Sequence, residues 1–289
     1  MLRDRYRVIV QTEWSGEACN ALIALHARRS AGSVALFRER APGQRMAVVL
    51  TGTDLYRDFP DSAEVARSLD LADRIVVLQD EAPHLLTAPW RRKSEVIFQS
   101  ARLLAPRRKP KNRLSCVVVG HLREEKDPRT LFRALERIPD HLPIHVLHIG
   151  APLDPDLGQA ARAMEQRDSR YRYAGPLPRG LARAAIGAAH ILIHPSIVEG
   201  GANVIVEAVT AGTAVIASRI PGNVGMLGRG HPGYFEPGDA SGLARRLVQA
   251  CEDRAYRREL FASSNRRRPL FSPAKETRAI RGLVESLLS

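Results

Sequence analysis

The sequence predicts an α/β protein of two Rossmann-like domains whose parallel sheets face each other across a cleft. Three observations lead there. Short Val/Ile/Leu runs recur along the chain with amphipathic stretches between them, the pattern of parallel strands covered on both faces. A basic stretch at 102–113, with Pro106 and Pro110 and little to bury, interrupts that pattern once. A length of 289 residues is large for one core, so two domains are expected. The division is 1–104 for the first domain, 105–113 for a linker, 114–271 for the second domain and 272–289 for a last helix returning to the first.

In the first domain, strands are expected at 7–10, 22–25, 46–50, 74–78 and 95–98. Between them lie a helix capped by Ser30 and running to Arg40, a loop at 51–60 and a helix over 62–71. In the second, 115–119, 144–149, 171–174, 189–194 and 213–218 read as strands. Asp127 caps a helix with Pro128 at its first position, and helices follow over 155–166, 180–188 and 203–211, the last stopped by Gly212. A glycine-rich loop after Ser218, a helix over 240–251 capped by Asp239 and an amphipathic helix over 274–288 complete the chain.

The apolar runs are far too short to span a bilayer, and residues 1–7 lack the apolar core of a signal peptide, so a soluble cytoplasmic protein is expected. Cys19, Cys116 and Cys251 form no Cys-x-x-Cys pair, which excludes a disulfide framework and a zinc signature. The net charge is +13 and the positive charge is nearly all arginine, spread along the chain, with its main clusters at 91–93, 107–111 and 266–268. No recognition helix or aromatic-plus-basic strand accompanies them, so nucleic acid is not the expected partner, although the field favours anionic substrates.

In open α/β sheets ligands bind beyond the carboxyl ends of the strands. The strongest such end is His194-Pro195-Ser196-Ile197-Val198-Glu199-Gly200-Gly201-Ala202-Asn203, which runs through a glycine turn into a helix start. Free N–H groups there suit phosphate, and the glycines let backbone approach a ligand. Glu199 and Glu207, which flank the turn, suit hydroxyl donors. The competing reading has Glu199 satisfying helix-start N–H groups and Glu207 solvated. At Gly120-His121-Leu122-Arg123-Glu124-Glu125-Lys126-Asp127, cations follow a strand and can clamp a diphosphate, or else pair with Glu124 and Glu125. Leu50-Thr51-Gly52-Thr53-Asp54 and Leu25-His26-Ala27-Arg28-Arg29-Ser30 end strands of the first domain; each reads as an acceptor-side loop or as local turn chemistry. Asp154-Pro155-Asp156 spells a metal-binding Asp-x-Asp, but its place at a helix start makes it a cap, and no metal is expected.

These motifs together resemble the retaining glycosyltransferases of the GT-B fold: Glu199 and Glu207 eight positions apart, Gly200 after the first acid, Glu207-Ala208 before 211–218, and Gly120 to Lys126 at the phosphate clamp. More closely, 25–30, 50–56, 120–123, 222–228 and 231–235 resemble the selenosugar synthase (SenB) family of selenoneine biosynthesis over nearly the whole chain. The resemblance implies a metal-independent hexosyltransferase without cofactor. It would take a UDP-sugar, typically UDP-N-acetylglucosamine, and selenophosphate, form a C–Se bond and release UDP and phosphate. It implies catalytic roles for Lys126, Glu199 and Arg123. Donor binding falls to Gly120, His121, Gly175, Leu177, Gly200, Gly201, Ala202, Asn203, Val204 and Glu207. The acceptor side falls to His26, Arg28, Thr51, Gly52, Thr53 and Asp54. The chain departs from the broad family in having His121 where arginine is usual and Thr51 where histidine is frequent, and it opens at what resembles the family's second strand. The alternatives are transfer to an alcohol or lipid, a nucleotide-sugar epimerase, a nucleic-acid binder and a non-catalytic scaffold.

Overall fold

A computed structural model describes residues 1–58, 61–105 and 107–289. The chain divides into two compact units: Met1–Ser100 with Glu199–Gly201 and Leu270–Ser289, and Ala101–Val198 with Ala202–Pro269.

The first unit holds β1 (Ala21–Leu25), β2 (Arg45–Val49), β3 (Arg74–Val77) and β4 (Ser94–Val96) in one parallel sheet of that order. Helices α1 (Ala31–Arg40) and α2 (Ala63–Leu71) follow β1 and β2, and Ser62 caps α2 by accepting the Val65 N–H. Ser30 stands at the start of α1, but its hydroxyl donates to the Leu25 carbonyl at 2.9 Å and caps nothing. Residues 7–10, expected as a strand, are irregular, with Val10 79% exposed. An apolar run forms a strand only where a neighbour supplies a hydrogen-bonded ladder, and β1 pairs with β2 alone. The expected loop at 51–60 is instead helical from Gly52, with a π-helical turn over Asp54–Asp58; Phe59 and Pro60 lie outside the described residues. Two short helices, α3 (Ala82–Leu85) and α4 (Ala88–Arg92), each carry proline in the first turn, where its missing N–H costs no bond. The long C-terminal helix sets Leu283 and Leu287 against Ala47, Val76 and Ile97 of this unit.

The second unit contains β5 (Leu114–Val119), α5 (Pro128–Leu135), β6 (Ile144–Ile149), α6 (Pro155–Arg167), β7 (Tyr171–Gly175), α7 (Arg179–Ala188), β8 (Ile191–His194), α8 (Asn203–Thr210), β9 (Ala214–Ser218), α9 (Pro221–Leu227), β10 (Tyr234–Phe235), α10 (Ala240–Glu252) and α11 (Arg254–Arg266). The remaining helix, α12 (Pro273–Leu288), is the one packed on the first unit. All ladders in the sheet are parallel, in the order β10-β9-β8-β5-β6-β7. The strand order reverses between β5 and β8, the place where a doubly wound sheet opens a crevice for ligand. Leu131, Ile144, Val146, Ile193, Ile216, Leu243 and Leu247 are buried in its core. Pro106 of the linker lies outside the described residues.

The arginine-rich clusters do much of their work on backbone. Arg91 donates to the Pro83, His84 and Leu86 carbonyls, Lys93 to those of Asp70 and Ala72, and Arg267 to those of Met226 and Gly225. Cations at exposed carbonyl ends are favourable by charge and dipole. Part of the net charge is therefore spent inside the fold. No helix among the described residues is long and apolar enough to cross a membrane.

Candidate functional site

The two loops singled out in the second half leave the carboxyl ends of β5 and β8, the strands that flank the reversal of order. They touch directly: the Ile197 N–H donates to the Glu125 carbonyl at 2.9 Å. In the first loop, Gly120 lies under the Lys126 side chain, whose Cγ and Cδ stand 3.6 Å from where a Cβ on Gly120 would be. Gly150, just beyond β6, is held so close to the Gly120 carbonyl that any Cβ would collide with it, so this turn requires glycine. Glu124–Lys126 is a 3₁₀ turn, and Asp127 then takes φ +43° and caps α5 through the Thr130 N–H. Arg123 is about half exposed, and its Nε stands 4.0 Å from Glu125 Oε2, the outer limit of an ion pair. His121 is exposed, and its Nδ1 accepts the Ala151 N–H at 3.0 Å. That bond ties the loop after β5 to the chain after β6.

In the second loop, Ala202 is the N-cap of α8 and supplies no capping side chain, so the helix opens with N–H groups at Asn203 and Val204. Glu207, one turn into α8, is 7% exposed and not the solvated residue of the competing reading. Its Oε1 accepts from Arg179 Nε at 3.1 Å and also faces Arg183 at 3.8 Å. Gly175 closes β7 at φ +68°, and Leu177, 36% exposed, follows on the approach to Arg179. The glycine pair does something other than expected. Within the first unit, a Cβ on Gly200 would collide with Gly52 backbone, and one on Gly201 would sit 2.6 Å from Leu78 Cβ. The small residues thus admit protein backbone and side chain, where the sequence reading gave that space to a ligand.

The first unit's residues form a closed cluster. Asp54 is 0% exposed. Its Oδ1 accepts from Arg28 N and lies 2.6 Å from His26 Nδ1; its Oδ2 accepts from Thr51 N at 2.9 Å and from the Thr51 hydroxyl at 3.0 Å. With the proton of Nδ1 turned to Asp54, His26 Nε2 accepts from the Thr53 hydroxyl at 3.0 Å. His26 itself holds φ +80°, uncommon for a non-glycine residue. Arg28 reaches outward to Glu64 at 3.5 Å. Asp54 therefore braces two loops, and the hydroxyls and the imidazole form the outer layer.

Sequence reasoning missed Arg179 and Arg183. Arg179 opens α7 two residues after Leu177, so its place at a strand's carboxyl end was a usable signal. It also missed His148, 2% exposed on β6, whose Nε2 lies 3.3 Å from the Gly120 carbonyl while Nδ1 lies 2.8 Å from the Tyr171 hydroxyl. Burial pushes this imidazole down to about 4, so it stays neutral beneath the loop. Asp154 caps α6 through the Asp156 and Leu157 N–H groups. Among the described residues no cluster of three or more His, Cys, Asp or Glu side chains has metal-binding geometry. At the β5/β8 edge the arrangement combines a lysine, an arginine, uncapped N–H donors and a buried carboxylate. Such a set can hold an oxyanion beside hydroxyl groups.

Comparison with known proteins bears on the family and the fold. The model of the family described as "Glycosyl transferases group 1" matches residues 100–267. Among solved structures, sucrose-phosphate synthase from Thermosynechococcus elongatus aligns with a TM-score of 0.77 at 20% identity, over 93% of this chain and 73% of that one. Anabaena Alr3699/HepE, solved with UDP and glucose, aligns at 0.74 and 15% identity, over 93% and 78%. The pneumococcal O-GlcNAc transferase GtfA, solved with UDP and GlcNAc, aligns at 0.73 and 17% identity, over 92% and 57%. These structures share the paired α/β architecture of GT-B enzymes.

Proposed function

The chain belongs to the group 1 glycosyltransferases, and we propose that it moves a sugar from a UDP-sugar, UDP-N-acetylglucosamine in the first instance, to selenophosphate. The observation that carries the donor half is the β5/β8 edge, where the Lys126 stem covers Gly120 and the uncapped start of α8 leads to Glu207. UDP in the HepE and GtfA structures supports the same class of donor. Lys126, Arg123 and the N–H groups of Gly201 to Val204 hold the diphosphate and stabilise its charge as it leaves. His121, Gly175 and Leu177 line the nucleotide. Glu207 accepts from ribose hydroxyls, for which Arg179 gives way, and Glu199 accepts from the sugar.

Selenium attacks the anomeric carbon, and the carbon–oxygen bond to the diphosphate breaks with its electron pair leaving on UDP. Water then cleaves the P–Se bond and phosphate departs. The acceptor half rests on the resemblance to selenosugar synthases in the His26 and Thr51 loops. Arg28 suits an anionic acceptor, the Thr51 and Thr53 hydroxyls, whose protons go to Asp54 and His26, shape the loops around it, and selenium needs no protein base.

One observation favours a second reading. The short His26–Asp54 contact is the pairing that makes an imidazole a general base, which an alcohol acceptor needs and selenophosphate does not. One assay separates the two: UDP-N-acetylglucosamine with and without selenophosphate, products resolved by chromatography and mass spectrometry. A selenosugar with stoichiometric UDP supports the proposal. Transfer to alcohols alone moves the assignment to the second reading, and interconversion of the donor without acceptor marks an epimerase.

A further inference from the structure

The structure assigns a second anion-binding pocket to the opposite edge of the six-stranded sheet, for a phosphorylated small molecule carrying an aromatic or apolar group. The pocket has a volume of about 660 Å³ and is lined by Lys109, His190, Arg254, Arg257, Arg258 and Phe261, with Ile191, Ala214 and Leu260 on its apolar floor. That volume suits a small organic ligand. Ile191 and Ala214 are the first residues of β8 and β9, so the pocket lies at the amino ends of strands whose carboxyl ends carry the donor loops. A four-residue strand separates the two edges by roughly 13 Å at about 3.3 Å per residue.

The charge is one-sided. Among the described residues no carboxylate forms an ion pair with Lys109, Arg254, Arg257 or Arg258. Two of the cations are partly committed. Lys109 Nζ donates to the Gly212 carbonyl at 2.7 Å, and Arg257 donates to the Ala250 and Cys251 carbonyls that end α10. Arg254 and Arg258, four apart and hence on one face of α11, are exposed at the rim. Burial lowers the Lys109 ammonium to about 8. Burial, then Lys109 and Arg257, lower His190, whose Nδ1 accepts the Ser115 N–H. Positive charge thus converges on a partly buried volume that the protein leaves uncompensated, and an anion relieves the repulsion. Phe261, 45% exposed, adds an aromatic side chain to the same lining. This combination of cationic rim, apolar floor and exposed aromatic ring fits an aryl or nucleoside phosphate better than a bare ion. A concave pocket between α11, the linker lysine and the amino ends of β8 and β9 also suits a small molecule better than a duplex or a membrane.

The test titrates the full chain with 1-naphthyl phosphate, with inorganic phosphate and 1-naphthol as partial ligands. Saturable binding of 1-naphthyl phosphate is expected, with both partial ligands at least tenfold weaker. Arg254→Glu/Arg258→Glu should weaken it more than tenfold and Phe261→Ala severalfold, while Lys126→Ala leaves it unchanged. The altered side chains are largely solvent-exposed, so an unchanged melting curve for the double variant shows that the fold survives. Unchanged affinity in that variant, or loss of binding in Lys126→Ala, overturns the assignment. So does saturation by anionic phosphatidylserine vesicles or duplex DNA, through the same arginines, where 1-naphthyl phosphate fails to bind.

Discussion

The β5/β8 edge and the His26–Asp54 cluster use the same residue types in opposite ways. At the edge, Arg123 is half exposed, the start of α8 is uncapped, and Glu207 is held by Arg179, whose side chain is 71% exposed and can leave. In the cluster, Asp54 is shut away and both its oxygens accept from the surrounding chain. Polar groups already satisfied by the fold contribute to stability and geometry. Groups left to solvent or to a displaceable partner remain available for a ligand. Substitution should therefore separate the two regions, one losing activity and the other losing fold.

The largest effect is expected from Asp54→Ala. It leaves the Arg28 and Thr51 N–H groups and the His26 ring without their acceptor and should cost on the order of 3–5 kcal/mol. Thermal melting should show an early transition, and a melt like that of the unaltered chain would break the comparison. Next is Lys126→Ala. Removing one preorganised donor at a leaving group costs about 2.7–4 kcal/mol in the transition state. Turnover with the UDP-sugar should fall 10²–10³-fold with the melt unchanged, and Glu199→Ala should behave alike. Near-normal transfer in both would remove the donor assignment.

Arg179→Ala sharpens the contrast further. Its ion pair with Glu207 is largely in water on the arginine side, so its loss should change stability by under about 1 kcal/mol. Because it vacates Glu207 Oε1, UDP should bind a few-fold tighter by calorimetry. Glu207→Ala should do the reverse, weakening UDP and lowering stability, because Arg183, 17% exposed, then loses its counter-charge. Equal UDP affinity in all three forms would exclude Glu207 from the nucleotide site.

The β5/β8 edge was the more legible region because its signals are local. A continuous apolar strand, a glycine turn and a capped or proline-started helix follow one another in sequence, and β5, β6, β8, β9 and α5 appeared near their expected places. What escaped depends on distant partners. The closure of Asp54 needs Arg28, 26 residues away, and the Glu207 ion pair needs Arg179, 28 residues away. Helix α11 was missed because arginines at 254, 257, 258 and 266 dilute its apolar stripe. Helix α9 was missed because Gly222 and Gly225 read as loop, although Pro221 starts it and Gly228 at φ +88° stops it. The fate of Gly200 and Gly201 was illegible for the same reason: a glycine shows that something comes close, not what it is.

The last prediction concerns pH and the brace beneath the loop after β5. Burial lowers His148 to about 4 in the folded chain, against an ordinary value of 6.5. Between those values the unfolded chain holds a proton that the folded one lacks, so stability is complete above about pH 6.5 and falls as pH drops toward 4. His231, buried between Ser263 and the Val215 carbonyl, is lowered to about 4 as well and contributes a slope of the same sign. Each ring can add up to about 1.4 kcal/mol per pH unit. His148→Gln keeps hydrogen-bonding capacity toward Tyr171 and Gly120 but takes up no proton, so it should remove about half of the loss contributed by these two histidines between pH 6.5 and 5, leaving the His231 share. Denaturant titrations at the two pH values measure it. An unchanged slope would mean that His148 is not what ties acid sensitivity to the Gly120 turn.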